Sequence, residues 1–510
     1  MKWSSLNLLL LTLAGNWTVA PRGPVLVTGE SIQKPLPATT PGGIAVFDYN
    51  NDGRLDLFFP NGGALPRGPK APNTLLRNDG NFQFSNVTAA ANLSGHDYDL
   101  GAAAGDYDHD GHPDLLTLGL RGITLYRNLG NGRFTNTTAA ARLDNRGRWS
   151  VAAAWFDMDN DGDLDLFVVN YVQWNPATEQ VCLVAGKPDF CHPRHYAPQA
   201  NALFRNNGDG TFSDISAPSG IAAHQGKGMS VAAADFDADG LTDLYVTNDR
   251  APAFYFRNLG HGQFEECAFD RGVAVPQDGR PVSGMGVNAE DYDNDGRPDL
   301  VYTALRDETF PLYRNRGHEF EEVTGTSRLA PLTRAMAGWG IAFADLDNDG
   351  WKDILAARSD ALSATGGYGA KAKEPPAWFR NQANGAFAPG AGWATLEPAM
   401  YRGLVAADLN ADGCLDVVLT ALQATPRLLR HPCQGAGNWL SVDVREPGAR
   451  VRIGNQTRWV SSATGYASSY LGPLHFGLGP AQQVDVEVTW PDGRSRRVAT
   501  ATNRAIQLKP

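Results

Sequence analysis

The sequence predicts an all-β fold: a seven-bladed β-propeller followed by a small β-domain. Three observations carry that prediction. A nine-residue acidic motif recurs seven times, short apolar runs flank each copy, and an Arg-Asn pair leading into a Gly turn follows six of them. Self-similarity at a period of several tens of residues marks a repeat architecture, and four short strands per unit is the arithmetic of a propeller blade.

The copies are DYNNDGRLD (48–56), DYDHDGHPD (106–114), DMDNDGDLD (157–165), DFDADGLTD (235–243), DYDNDGRPD (291–299), DLDNDGWKD (345–353) and DLNADGCLD (408–416). Each opens like an EF-hand calcium loop, D-x-[DN]-x-[DN]-G. That motif requires a bidentate Glu at its twelfth position. Here the twelfth residues are Phe59, Thr117, Val168, Val246, Tyr302, Ala356 and Leu419. All suit a strand and none ligates, so the acidic loop joins two strands and its ninth residue supplies the closing carboxylate.

The flanks complete the unit. Gly/Ala-rich runs such as GAAAG and SVAAADF precede the motifs, and runs such as LFVVN and LYVTN follow them. The Arg-Asn pairs are Arg77-Asn78, Arg127-Asn128, Arg205-Asn206, Arg257-Asn258, Arg314-Asn315 and Arg380-Asn381. Apolar runs bounded by Asn/Gly turns are strand and hairpin signals. The second motif residues, Tyr49, Tyr107, Met158, Phe236, Tyr292, Leu346 and Leu409, are expected to pack between blades.

Alternate residues of a tight loop can converge on one centre, with Gly at position six permitting the turn. Positions one, three, five and nine offer side-chain oxygen. In chain order they are Asp48, Asn50, Asp52 and Asp56; Asp106, Asp108, Asp110 and Asp114; Asp157, Asp159, Asp161 and Asp165; Asp235, Asp237, Asp239 and Asp243. The remaining sets are Asp291, Asp293, Asp295 and Asp299; Asp345, Asp347, Asp349 and Asp353; Asp408, Asn410, Asp412 and Asp416. Hard oxygen donors in flexible geometry, with a backbone carbonyl at position seven, suit Ca²⁺ better than Mg²⁺. No His or Cys stands at a side-chain ligand position, which argues against a softer metal. Packed carboxylates repel one another unless a cation neutralises them. Up to seven Ca²⁺ ions are therefore expected, the first and last held more weakly because Asn replaces Asp at position three. A motif present in every blade serves what every blade needs, so the calcium is expected to be structural.

Residues 1–20, with Lys2, an apolar stretch at Leu6–Leu13 and small residues at Thr12, Ala14, Thr18 and Ala20, read as a secretory signal peptide. The propeller is assigned to 21–432, with insertions near 171–200 and 360–377, and the tail domain to 433–510. Of five cysteines, Cys182 with Cys191 and Cys414 with Cys433 are expected to pair, leaving Cys267. The 56 Gly residues exceed the average usage of about 7%. Net charge is −11, against a basic nucleic-acid surface, and no internal run is long and apolar enough for a membrane helix. The expectation is a secreted, monomeric propeller, at a cell surface, in a periplasm or outside the cell.

These units resemble the FG-GAP or VCBS-type repeats of integrin α-subunit propellers, over roughly residues 36–430. The tail elements GAR, GY-x-S, HFGLG and WPDG, within 448–494, are similar to the ASPIC/UnbV domain. The pairing is that of the cartilage acidic protein family and its bacterial relatives. Two departures stand out. No EGF-like module follows the tail domain, and the seventh unit reads PRLLRHPCQG where the others carry the Arg-Asn hairpin.

No nucleophile elbow, phosphate loop or HExxH is present. Long loops over a rigid scaffold are where binding groups sit. The insertion at 171–200 brings Trp174, His192, Arg194, His195 and Tyr196; a Gly-rich stretch at 366–376 brings Lys371 and Lys373; Asn248 and Asp249 could form a hydrogen-bonding pair. The leading expectation is a binding or adhesion scaffold for a protein or glycan. The alternatives are a lectin or a calcium-dependent polysaccharide lyase on the same fold, with a base among His192, His195, His224 and Lys227, or an accessory protein of a biosynthetic cluster. His475, in the tail, is expected to be a packed histidine.

Overall fold

The computed structural model describes residues 11–12, 17–21, 23–31, 34–65, 69–95, 97–184, 186–360 and 372–509. Seven antiparallel sheets follow one another, one per acidic motif. Their first strands are Ala45–Phe47, Asp99–Gly105, Ser150–Phe156, Gly228–Ala234, Val287–Glu290, Gly338–Ala344 and Tyr401–Ala407. In each sheet the acidic loop connects this first strand to the second, which begins at the ninth motif residue.

Burial explains the ring. Seven apolar clusters each join one sheet to the next, and the last joins the seventh sheet back to the first through Val405, Leu409, Val418 and Leu428 against Ile44, Val46 and Leu57. All seven second-position residues of the motifs are buried, as expected for packing between sheets. The first strands converge on a central channel, which explains their Gly and Ala. A methyl on Gly101 would lie 2.5 Å from the Val151 carbonyl oxygen.

Two closures were not anticipated. Thr18–Pro21 joins the seventh sheet beside Arg427–Arg430, with Leu11–Thr12 paired outside it, and Trp17 packs on Trp393 and His431. These residues overlap the end of the segment expected to be a leader, whose first ten residues lie outside the described residues. The second closure comes from the tail. Its strands form a three-stranded and a four-stranded sheet around Leu440, Val451, Phe476 and Val488. Between them, the segment 461–471 leaves that domain and enters the channel.

There it runs as a plug. Ser468–Leu471 pairs in parallel with Ala45–Phe47. The Ile44 and Ala104 N–H groups donate to Ser468 Oγ and Ser469 Oγ. Trp155 N–H donates to Ser462 Oγ, Ser230 Oγ donates to the Gly465 carbonyl, and Asn288 donates to Thr464 Oγ1. Tyr466 donates its hydroxyl to the Thr40 carbonyl at 2.8 Å and packs edge-on against Trp339. The inward-facing edges of the first strands in the first five sheets thus find polar partners in the plug.

Both expected disulfides form, Cys182–Cys191 and Cys414–Cys433, and Cys267 is buried and unpaired. Among the described residues no helix is long and apolar enough to cross a membrane.

Candidate metal loops and the opposite mouth

The seven loops share one hydrogen-bond scheme. The first Asp accepts from the backbone N–H groups of positions five and six where both bonds form, as Asp48 does from Asp52 and Gly53 at 3.0 and 2.8 Å. The turn needs left-handed backbone at position four as well as at Gly six; the fourth residues Asn51, His109, Asn160, Ala238, Asn294, Asn348 and Ala411 all have φ between 53 and 62°. Sequence reasoning credited only the glycine. Four of these residues reach further: Asn51, Asn160, Asn294 and Asn348 donate to the position-six carbonyl of the next loop, at 2.8–3.0 Å. The loops are therefore linked neighbour to neighbour on one face.

The ninth Asp is the hub. One oxygen accepts from the N–H of position two, and the other from the Asn of the Arg-Asn pair, for example Asn258 to Asp243 at 2.7 Å. The Asn side chain then reaches the preceding sheet. Asn258 Nδ2 donates to the Met158 and Thr242 carbonyls at 2.8 and 3.0 Å, and its Oδ1 accepts from Gly260 N–H. Asn78, Asn128, Asn206, Asn315 and Asn381 make the same cross-sheet bond. The signature seen in sequence is thus an inter-sheet staple, and the seventh unit keeps the backbone bond through His431 while lacking the amide. We expect Asn258→Ala to lower stability by about 2–4 kcal/mol, because it leaves buried carbonyls unsatisfied; a urea midpoint unchanged from the parent would refute the staple.

In four of the six units the paired Arg holds the loop from outside. Arg127, Arg257 and Arg380 contact one oxygen of Asp108, Asp237 and Asp347 at 2.5–2.7 Å. The other oxygen of each, with that of Asp159 and the Asn50 carbonyl, is buried with no hydrogen-bond partner. Ligand atoms of Asp106, Asp108 and Asp114 lie within 4.8 Å of one another, as do those of Asp157, Asp159 and Asp165. Asp235, Asp237 and Asp239, and Asp291, Asp293 and Asp295, form equivalent groups. Burial, then the neighbouring carboxylates, pushes Asp56, Asp165 and Asp243 up to about 8 and Asp114 to about 9. Buried oxygens aimed inward without a donor, among carboxylates that resist ionisation together, form a donor set for a hard cation.

Comparison with known proteins bears on this arrangement. The profile described as FG-GAP-like repeat matches residues 48–117, 106–168, 186–246, 235–302 and 291–356. The chain belongs to the FG-GAP-like repeat family. The tail, 443–510, matches the family described as ASPIC and UnbV. The FG-GAP match stops short of the seventh unit, which nonetheless repeats the hub bonds of the others through Asp416. Human cartilage acidic protein 1 is 25% identical over 91% of this chain and 71% of its own length, and the mouse protein 28% over 61% and 48%. A lectin from Burkholderia pseudomallei superposes with a TM-score of 0.41 at 11% identity, covering 91% of this chain and 96% of its own. An Agrocybe aegerita lectin that recognises non-reducing terminal N-acetylglucosamine gives 0.42 at 18% identity over 69% and 79%.

The tail domain of this FG-GAP protein sits on the loop face. Gly437 N–H donates to the Asp347 carbonyl, Gly479 N–H to that of Asn348, and Arg445 reaches Asn51. His475 is buried against Asn348 and stacks on Trp439, a packed histidine as expected. Arg458 of the tail pairs with Glu290 of the fifth sheet and donates to the His475 carbonyl.

The unrepeated candidates gather elsewhere. His192, Arg194, His195 and Asp249 line a cavity of 1030 Å³. Met229 and Trp339, at the starts of first strands, lie in its floor, and its walls come from connecting loops, including 190–195, 276–283 and 305–309, opposite the acidic loops. Lys227 donates to the Pro193 carbonyl nearby, whereas His224 packs on Phe254 and Phe256, outside the lining. Asn248 is committed to the Lys227 N–H and the Pro252 carbonyl. Asp249 accepts from Tyr171 at 2.7 Å, and burial pushes it up to about 6. Trp174 packs on Trp149, and Tyr196 donates to Glu179. Lys371 lies outside the described residues.

Proposed function

We propose that this protein is a secreted calcium-binding propeller scaffold for a protein or glycan partner, with calcium mainly structural. The observation carrying the reading is the buried, donorless oxygen at position three of the loops, recurring from sheet to sheet. A cation there would satisfy those oxygens, and the same need in each sheet is what a structural ion meets. Positions one, three, five and nine of each loop are the proposed ligands, with Asn50 and Asn410 marking the weaker sites. The two disulfides fit an oxidising compartment, where free calcium suits sites of about 10⁻⁴–10⁻³ M.

The lyase reading loses support from the geometry. It needs a base beside calcium, and His192, His195 and Lys227 stand at the mouth opposite the acidic loops. The test is a calorimetric titration of metal-stripped protein with calcium. Several equivalents, falling as Asp108, Asp159 and Asp237 are changed together to Asn, are expected. Absence of binding at millimolar calcium would end the proposal.

A further inference from the structure

The cavity opposite the loops has a composition that narrows its occupant. Its floor is the closed end of the channel: Met229 and Met285 are buried there beside Tyr171 and Trp339. Above it stands the arm closed by Cys182–Cys191, whose Leu183 is 63% exposed although apolar. The exposed aliphatic side chain of Leu183 suits an aliphatic side chain of a partner.

The charges at the walls are unevenly satisfied. Asp249 is held by Tyr171, and Glu308 accepts from the Ser283 and Leu305 N–H groups and pairs with Arg250 at 2.7 Å. Arg306 is bound to Glu374. By contrast, the exposed guanidinium groups of Arg194, Arg280 and Arg334 face the same cavity with no hydrogen bond or ion pair among the described residues. Guanidinium forks recognise carboxylates in bidentate fashion.

Neutral sugars are commonly gripped by stacking on an exposed aromatic ring. Here Tyr171 and Trp339 are buried, and Phe190 is half-buried beneath Lys34. These features favour a polypeptide over a glycan chain.

We propose that this cavity binds a peptide segment of a partner protein, one that presents carboxylates to Arg194, Arg280 and Arg334 and an aliphatic side chain to Leu183. The inference rests on the scaffold reading above and assigns its partner class and its face.

The experiment uses the full-length, calcium-loaded protein. A phage-displayed linear peptide library is selected on it, and enriched peptides are measured by fluorescence polarisation against the parent, against Arg194→Glu/Arg280→Glu/Arg334→Glu, and against Arg133→Glu on the outer edge of the second sheet. Thermal melts check that each variant is folded. Expected are peptides combining Asp or Glu with Leu, Val or Met, binding at least about tenfold more weakly to the triple variant and unchanged to Arg133→Glu. Enriched peptides indifferent to the triple change overturn this site but leave the scaffold reading standing. Binding of polygalacturonate or heparin oligosaccharides, with no peptide enriched, overturns the peptide assignment in favour of a glycan. No binding of any probe overturns the site and counts against the scaffold as well.

Discussion

Adding EGTA is expected to lower the melting temperature by on the order of 10 °C near neutral pH, because each site loses roughly 1.4 kcal/mol of linkage when calcium stands tenfold above its dissociation constant. The pH dependence should be the more telling readout. Metal-free, burial raises the ninth-position carboxylates in the folded state, Asp56, Asp165 and Asp243 to about 8 and Asp114 to about 9, against an ordinary value of 3.8. Between those values the folded state binds more protons than the unfolded one, so stability falls as pH rises. In EGTA the protein should therefore melt higher at about pH 5.5 than at about pH 8.5. With calcium the order should reverse, since protons compete with the cation for the same oxygens. The measurement is a set of melts across pH, with and without calcium. Parallel curves would show that these carboxylates hold no ion.

Glu290→Ala should destabilise the protein by about 3–5 kcal/mol, the cost of stranding buried charge. Glu290 and Arg458 are both largely buried, and Lys352, fully buried nearby with its amine on the Asp291 carbonyl, loses the same counter-charge. Burial lowers Lys352 from its ordinary range and Glu290 opposes that shift. Adding Arg458→Met to Glu290→Ala should recover much of the loss, because a buried pair removed together costs less than one partner left alone. Chemical denaturation of the four proteins of the cycle gives the coupling, expected at about 2 kcal/mol or more. Simple additivity would mean that tail and fifth sheet are not joined through this pair.

What the sequence disclosed was local. The acidic loop announces itself because its chemistry fits in nine residues, and the buried second positions follow from alternation around it. The Cys182–Cys191 pairing was legible because a short loop brings both residues together. The Arg-Asn repeat was visible, but its meaning was not: Asn258 bonds to Met158, 100 residues earlier, and nothing near Asn258 names that carbonyl. The plug was hidden for the same reason, since Ser468 answers Ile44 across 424 residues. His192, Arg194 and Asp249 could be singled out as unrepeated, yet only the ring brings them to one mouth. The left-handed fourth position was within reach, because Asn fills it in four of the seven copies and tolerates that backbone.

The plug also constrains how this architecture can diversify. Repeat arrays commonly gain or lose a unit by duplication or deletion, since each repeat contacts only its neighbours. Here Ser462, Thr464, Gly465, Ser468 and Ser469 are each addressed to a different part of the ring. One sheet more or fewer would change the bore and leave those partners out of register. The tail therefore acts as a gauge on the array, and a change in sheet number calls for a matching change in the tail.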